Sequence, residues 1–298
     1  MRLRALAPAK VNLCLFLGRI RGDGRHRLVT LFESVSLADE VELRTRVALG
    51  DEVVCPGVAG PNLVSRALEE LRAAGWDAPA VRVSIHKRIP VAAGMGGGSA
   101  DAAATLRIAE RMGGISNAMI RVLAAELGAD VPAQLDPGLA LGTGAGGQIT
   151  VPSWPLAPLA PHAILVLPSA QQLSTADVYA EADRMGLPRD DADLVRHHAL
   201  LERVLSEGGT LPADLVVNDL EPAAISLCPS IGSALGAARG AGADHAMVCG
   251  SGPTVLGLYW GPDGPGRAAA AATELGGRFE GACVAHPVEP GFGFPLFA

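Results

Sequence analysis

The chain is predicted to have an α+β fold built from two halves. Strand-forming apolar segments and helical segments follow one another in both halves, glycine and proline mark the turns between them, and a proline-rich stretch separates the halves. We place the boundary near residue 155. This gives an N-terminal domain of residues 1–155 and a C-terminal domain of residues 156–298.

The first half alternates apolar segments with helical ones. Its predicted strands lie near residues 2–18, 29–37, 40–47 and 81–89. Its predicted helices lie near residues 61–75, 99–113 and 117–126. Pro137, Gly138 and the glycines between 142 and 147 then predict a strand hairpin.

The second half repeats this mixture. Its predicted strands lie near residues 162–168, 246–249, 254–259 and 282–287. Its predicted helices lie near residues 174–186, 191–206, 229–239 and 266–275.

The most informative stretch is Pro90 to Ala104, PVAAGMGGGSADAAA. Glycines at 94, 96, 97 and 98 allow a close approach to an anion and positive φ angles, and the free N–H groups of the following helix favour negative charge. We therefore predict a phosphate-binding loop; a glycine-rich turn without a ligand is the alternative. No Gly-Lys-Ser/Thr follows, and no acidic residue stands where a dinucleotide-binding unit needs one, so this is a third kind of phosphate loop.

The first strand carries polar residues on one face. By the two-residue period of a strand, Lys10 and Asn12 share a face, and Val11, Leu13 and Leu15 occupy the other. A lysine among buried strand residues needs an anionic partner.

Composition excludes several classes of protein. The net charge of −7 offers no general basic surface, so no nucleic-acid partner is expected. Five cysteines without a CxxC pair indicate neither a disulfide framework nor a zinc site, and they favour a cytoplasmic location. No apolar run approaches membrane-spanning length and no signal peptide is apparent, so no membrane partner is expected. The oligomeric state stays open.

The glycine-rich loop resembles the central motif of the GHMP kinases, which are ATP-dependent kinases of small molecules. The segments PAKVNLCL, DGRHRLVTLF and SLADEVEL are similar to the opening of the branch of that family whose substrate carries a cytidine. Three further motifs follow in the family's order, namely Gly128-Ala-Asp-Val-Pro, Asn218-Asp-Leu-Glu-Pro and Cys249-Gly-Ser-Gly-Pro-Thr. The resemblance covers residues from about 5 to about 260.

This resemblance implies a two-domain GHMP kinase fold with the active site in the cleft between the domains. It also implies transfer of a phosphoryl group from ATP to a hydroxyl of the cytidyl substrate, with Mg²⁺, in the non-mevalonate route to isoprenoid precursors. The metal ligands stay unknown, because Ser99 is the nearest hydroxyl and no second carboxylate has a clear metal-binding spacing.

Two charged residues are the expected catalytic groups. By resemblance, Asp130 takes the proton from the substrate hydroxyl, and Lys10 lies beside it, keeps the aspartate ionised and offsets developing charge. The alternatives are a helix-end cap for Asp130 and a surface strand position for Lys10.

Two sets of binding residues follow from the same resemblance. Those expected to bind ATP are Asn62, Lys87, Pro90, Val91, Ala92, Ala93, Gly94, Met95, Gly96, Gly97, Gly98, Ser99 and Ala100. Those expected to bind the second substrate are Asn12, Arg25, His26, Thr175 and Tyr179. His26 is expected to hydrogen-bond the cytosine and Tyr179 to stack on it, whereas Arg25 stands where the family usually has a tyrosine and can stack through its guanidinium plane. An exposed histidine and a core tyrosine are the alternatives.

Two other functions remain open at this point. A GHMP kinase of homoserine or mevalonate type would explain the loop and Asp130, but not the turn at His26 or the segment around Tyr179. A catalytically silent binding module would be expected to lose Lys10 or Asp130, and both are present.

Overall fold

The computed structural model describes residues 1–58, 60–145, 148–150, 157–289 and 291–298, so the boundary predicted near residue 155 lies outside the described residues. The strands are Arg2–Ile20 (β1), His26–Thr45 (β2), Glu52–Val54 (β3), Val81–His86 (β4), Leu139–Thr143 (β5), Gln148–Thr150 (β6), His162–Leu167 (β7), His245–Val248 (β8), Val255–Trp260 (β9), Cys283–Ala285 (β10) and Leu296–Phe297 (β11). The helices are Leu63–Ala73 (α1), Gly97–Met112 (α2), Asn117–Leu127 (α3), Val131–Leu135 (α4), Thr175–Arg184 (α5), Asp191–Glu207 (α6), Glu221–Leu227 (α7), Ser230–Gly240 (α8) and Gly264–Leu275 (α9).

Two long antiparallel strands form the centre of the first sheet. Its strands run in the order β11-β1-β2-β4-β3, and β5 joins β2 and β6. The two strands predicted near 29–37 and 40–47 are one strand, β2. Its pairing with β1 continues past an irregularity between Pro8 and Ala9, where β2 accommodates two extra residues, so the strand bulges here instead of ending.

Helix α2 lies at the centre of the first half. It packs against β1, α1 and α4, and every residue from Ala100 to Ala109 is buried. The alanine-rich sequence permits this burial, because small side chains let a helix approach its neighbours closely. The predicted start of this helix was two residues late, since Gly97 and Gly98 already belong to its first turn.

The second half is built on a four-stranded antiparallel sheet with the order β10-β7-β9-β8. Both β7 and β9 are buried along their whole length, which explains their nearly unbroken apolar sequences. One core cluster contains Val11 and Leu13 of β1 together with Ile164, Val166 and Leu256 of this sheet. Strand β1 therefore belongs to the packing of both halves.

A β-bulge in β1 changes which side chains face the site. The register shifts between Asn12 and Cys14, and Leu13 and Cys14 both enter the core cluster shared by the two halves. Leu15 was predicted to share a face with Leu13, and this prediction was wrong. The bulge reverses the alternation, so Leu15 lines a cavity together with Lys10.

Two global features bear on the protein's surroundings. Within the described ranges, no helix is long and apolar enough to cross a membrane. The five cysteines are all free thiols.

A buried arginine joins two segments of the first half to the C-terminal segment of the chain. The Arg107 guanidinium on α2 donates hydrogen bonds to the carbonyl oxygens of Leu6 at 2.8 Å and Gly293 at 3.0 Å, and also to that of Gln134 in α4. Burial lowers the pKa of Arg107 to about 10. Since its partners are main-chain carbonyls, the side chain acts as a polar connection between β1, α4 and the C-terminal segment.

We expect Arg107→Met to lower the free energy of unfolding by about 2 to 4 kcal/mol, because it leaves buried carbonyl groups without donors. Urea denaturation measures this loss. Arg111→Met is the matched control on the same helix; it removes an exposed guanidinium that lies over the Phe297 ring and is expected to cost less than about 1 kcal/mol. Equal losses for the two variants would contradict the assigned role.

Candidate active site

Three adjoining cavities extend from the glycine-rich loop of the first half to the junction of the two halves. The loop cavity, about 330 Å³, is lined by Asn62, Lys87, Asp101 and the loop from Pro90 to Ser99. The central cavity, about 380 Å³, is lined by residues that include Lys10, Asn12, Asp130, Thr175 and Ser251. The outer cavity, about 390 Å³, is lined by residues that include Arg25, His26, Ala180 and Asp183. Gly94, Gly96 and Ser99 border both the loop and central cavities, and Leu28, Ala145 and Tyr179 border both the central and outer cavities.

Two of the four loop glycines adopt the positive φ angles that the sequence predicted, whereas Gly97 and Gly98 are helical and belong to α2. Gly94 and Gly96 have φ angles of 74° and 68°, and Gly96 is the N-cap of α2. A Cβ atom on Gly94 would lie 2.4 Å from the carbonyl oxygen of Cys249, and one on Gly96 would lie 3.0 Å from the Lys10 side chain. Both positions therefore require glycine for conformation and for space.

Gly98 has a different environment in the first turn of α2. Nothing lies within 4 Å of the position where its Cβ would be, although the residue lines the loop cavity. The first N–H groups of a helix have no partner within the helix, and they form a positive end. The open space at the start of α2 thus suits an anion.

Lys10 and Asp130 meet in the central cavity. The Lys10 ammonium is 3.6 Å from Asp130 Oδ2, donates to Asn12 Oδ1 at 3.0 Å and lies 4.9 Å from the centre of the Phe32 ring. The Lys10 side chain is 7% exposed and that of Asp130 is 36% exposed, so the lysine is buried and the carboxylate reaches solvent. Lys10 is therefore not a surface residue.

Asp130 occupies the N-cap position of α4, but its side chain makes no capping hydrogen bond. The preceding helix α3 ends at Leu127, and Gly128 follows as its C-cap, so the chain turns where the sequence predicted. The carboxylate faces Lys10 instead of the helix end, which argues against the capping alternative.

A chain of buried hydrogen bonds supports Asn12. Its Nδ2 donates to Thr30 Oγ1 at 2.7 Å, and this hydroxyl donates to the carbonyl oxygen of Cys14 at 2.7 Å. The Asn12 side-chain oxygen is therefore directed at Lys10, which places the two polar residues of β1 on one face, as their spacing predicted.

Lys87 borders the loop cavity, but its charge is already neutralised within the protein. Its ammonium contacts Asp39 and lies 2.8 Å from Asp101 Oδ2. Burial opposes the charged form of Lys87, but the carboxylates of Asp101 and Asp39 outweigh this effect and raise its pKa. Burial also raises the pKa of Asp101, to about 7. Lys87 thus has little free charge to offer a phosphate.

Asn62 also lines the loop cavity, and part of its side chain serves the local fold. It is the N-cap of α1, and its Oδ1 accepts a hydrogen bond from the Val64 N–H at 2.9 Å. The amide nitrogen has no such role in the cap, so a donor remains for a ligand.

The outer cavity brings together residues that are far apart in sequence. The rings of His26 and Tyr179 are 5.1 Å apart and tilted by 43°. His26 is buried and its Nε2 lies 2.8 Å from Asp183 Oδ1, so it is not an exposed bystander. Arg25 is exposed, and its main-chain N–H donates to Asp23 Oδ1 at 3.1 Å. Arg25 lines the same cavity as Tyr179.

Thr175 and Tyr179 lie one turn apart on α5, as predicted. The Thr175 hydroxyl is 3.0 Å from the Ser251 hydroxyl, which links α5 to the Gly-Ser-Gly turn between β8 and β9. Burial raises the pKa of Tyr179 to about 12, with a further contribution from the negative charge of Asp130. Tyr179 borders two cavities, which distinguishes it from a residue packed only in the core.

Sequence reasoning missed several residues of the site. Ser251 lies in a motif that carried the family resemblance but was not assigned to the site. Asp183 follows Tyr179 by four residues, and that helical spacing could have identified it as a neighbour of the same pocket. Asp39 and Asp101 gave no local signal, because they meet Lys87 only through the tertiary fold.

The described residues contain no group of three or more His, Cys, Asp or Glu side chains that could hold a metal ion. The side-chain oxygens that line the central cavity include the Ser99 hydroxyl and the Asp130 carboxylate, which lie toward the loop and the expected catalytic pair. This small set is compatible with Mg²⁺, which typically takes one or two protein oxygens and completes its coordination with phosphates and water.

Comparisons with known proteins identify the family of both halves. Residues 62–138 match the model of the GHMP kinases N-terminal domain, and residues 193–278 match that of the GHMP kinases C-terminal domain. The homoserine kinase of Cytophaga hutchinsonii superposes with a TM-score of 0.67 at 20% identity, covering 100% of this chain and 97% of that one, and this likeness shows the fold alone.

More similar relatives are named for one activity. The 4-diphosphocytidyl-2-C-methyl-D-erythritol kinase of Streptomyces coelicolor is 42% identical over 267 residues, covering 85% of this chain and 86% of the relative. That of Mycolicibacterium gilvum is 40% identical over 291 residues, covering 94% and 87%. A crystal structure of 4-(cytidine 5'-diphospho)-2C-methyl-D-erythritol kinase superposes with a TM-score of 0.74 at 33% identity, covering 96% of this chain and 100% of that one. The chain therefore belongs to the GHMP kinase family, within its branch of 4-diphosphocytidyl-2-C-methyl-D-erythritol kinases.

Proposed function

We propose that this protein transfers the γ-phosphoryl group of ATP to the 2-hydroxyl of 4-diphosphocytidyl-2-C-methyl-D-erythritol, in the non-mevalonate route to isoprenoid precursors. The observation that carries the proposal is the line of three adjoining cavities with Lys10 and Asp130 in the central one. A nucleotide in the loop cavity and a cytidine in the outer cavity would bring their reacting ends together at this pair.

In this proposal Asp130 accepts the proton of the substrate hydroxyl. At the same time the hydroxyl oxygen forms a bond to the γ-phosphorus, and the bond between that phosphorus and ADP breaks. Phosphoryl transfer needs little activation of the nucleophile, so a carboxylate held in position suffices. The Lys10 ammonium lies 3.6 Å from Asp130 Oδ2, so it helps to hold this carboxylate in position and would offset negative charge on the transferred group.

The phosphates of ATP would be held mainly by main-chain N–H groups at the start of α2. Gly98 leaves the space open there, and Lys87 is already paired with two carboxylates. Mg²⁺, when bound, would neutralise phosphate charge, and Ser99 is the residue that would supply a protein oxygen to it.

The cytidine is proposed to occupy the outer cavity, with His26 at the edge of the base and Tyr179 at its face. Asn12 and Thr175 line the central cavity and are proposed to contact the polyol and diphosphate parts. We also propose a cytoplasmic location, which the five free thiols support.

A coupled assay for ADP release, run with and without the cytidyl substrate, tests the function directly. ADP release that depends on this substrate, with homoserine and mevalonate inactive, is expected. Phosphorylation of homoserine or mevalonate in its place would overturn the proposal.

Asp130→Asn should reduce kcat by about 100- to 1000-fold, or about 3 to 4 kcal/mol, because an amide cannot accept the proton. KM for both substrates should change little. The matched control is Asp136→Asn at the other end of α4, which removes an exposed carboxylate paired with Arg121 and should keep kcat. A kcat for Asp130→Asn within about tenfold of the natural chain would remove Asp130 as the base.

Gly98→Val should abolish ATP binding in calorimetry while the protein stays folded. The new side chain meets no protein atom within 4 Å at its Cβ position, but it enters the space proposed for phosphate. Gly236→Val in α8 is the control, since it places the same side chain at another helical glycine with open space. Unchanged ATP affinity for Gly98→Val would contradict the loop assignment.

Tyr179→Leu should weaken binding of the cytidyl substrate by about 1 to 3 kcal/mol, because leucine keeps bulk but lacks a π face. Steady-state kinetics should show a higher KM for this substrate and an unchanged KM for ATP. An equal rise in both KM values would indicate a general structural defect instead of lost stacking.

A further inference from the structure

The carboxylate of Asp183 is the only recorded hydrogen-bond partner of the His26 ring among the described residues. The contact joins His26 Nε2 to Asp183 Oδ1 at 2.8 Å, between the first residue of β2 and the last turn of α5. His26 is 8% exposed, whereas the Asp183 side chain is 45% exposed. Packing thus holds the imidazole in place, and the hydrogen bond to Asp183 sets the orientation of the ring.

The chemistry of this contact restricts the histidine. A carboxylate accepts hydrogen bonds and cannot donate them, so Nε2 must carry the proton in this pair. In a neutral imidazole the other nitrogen, Nδ1, then has a lone pair and acts as an acceptor. Nδ1 has no recorded partner in the described part of the chain, and the residue lines the outer cavity.

We propose that Asp183 is a positioning residue that holds His26 as the Nε2–H tautomer and so directs an acceptor at the amino group of cytosine. This inference rests on the proposed function, since it specifies how the outer cavity selects its base. Asp183 acts through His26 and needs no contact with the substrate.

This arrangement distinguishes cytosine from uracil. Cytosine presents an amino group, a donor, at the position where uracil presents a carbonyl oxygen, an acceptor. Nδ1 can accept a hydrogen bond from the amino group of cytosine. With uracil the same nitrogen would face a second acceptor, and no hydrogen bond would form. The uridyl complex therefore loses one hydrogen bond and also leaves a buried polar group without a partner. The second effect adds to the loss of binding free energy.

The kinetic test compares cytidyl and uridyl substrates in the natural chain and in Asp183→Asn. An asparagine can donate its amide proton to Nε2, which moves the imidazole proton to Nδ1 and removes the acceptor. We expect KM for the cytidyl substrate to rise about 10-fold and the cytidyl-to-uridyl ratio of kcat/KM to fall by about the same factor. KM for ATP should stay unchanged, and Asp183→Glu should restore part of the ratio.

The matched control is Glu181→Gln on the same helix. The Glu181 carboxylate binds Arg184 and Ser226 and not the imidazole, so this variant should keep the natural ratio. A natural chain that uses both substrates equally would contradict cytosine selection itself. A selective natural chain whose ratio is unchanged in Asp183→Asn would overturn the role of Asp183 alone.

A spectroscopic test needs no substrate. In ¹⁵N NMR of the labelled chain at neutral to slightly alkaline pH, His26→Gln identifies the His26 signals by their loss. We expect a protonated, pyrrole-like Nε2 and an unprotonated, pyridine-like Nδ1 in the natural chain, and the reverse or a mixture in Asp183→Asn. Two protonated nitrogens, or a pyridine-like Nε2, in the natural chain would overturn the proposal.

Discussion

The main chain of Lys10 donates a hydrogen bond to the carbonyl oxygen of Met95 at 3.0 Å, and its side chain reaches Asp130. Lys10 of β1 therefore connects the glycine-rich loop to the start of α4. Farther along the same strand, the Leu15 main chain bonds to Val217 and Asp219 of the second half. The geometry of the central cavity depends on this strand, because a buried ammonium group requires its partners at short range.

Close backbone packing then shapes the site from the other side. Gly94 lies against the carbonyl oxygens of Cys249 and Gly252, so the phosphate loop and the Gly-Ser-Gly turn meet without side chains between them. Ser251 on this turn reaches Thr175 of α5. The helix that carries Tyr179 is thereby linked to the loop proposed to hold ATP. Packing therefore fixes the distance between the two substrate cavities.

The charge distribution suits an acidic protein that must accept a polyphosphate. The net charge is −7, and Lys87 beside the loop cavity is neutralised by Asp39 and Asp101. The remaining source of attraction is local, from N–H groups at a helix start and from Lys10 in the central cavity. Such a site concentrates positive potential at the proposed position of the phosphates. It does so without a basic surface, which would attract other polyanions.

The amino-acid sequence by itself determined the α+β class, most helices and strands, the glycine-rich loop before α2, and the shared face of Lys10 and Asn12. These are properties of residues close together in the chain, where periodicity and glycine content act directly. Tertiary structure decided the rest. The bulge that turns Leu15 toward the site, the merging of two predicted strands into β2, the pairing of Lys87 and the contact between His26 and Asp183 all depend on segments that meet only after folding. No local pattern records such contacts, because they are selected by packing and charge between segments as far as 157 positions apart.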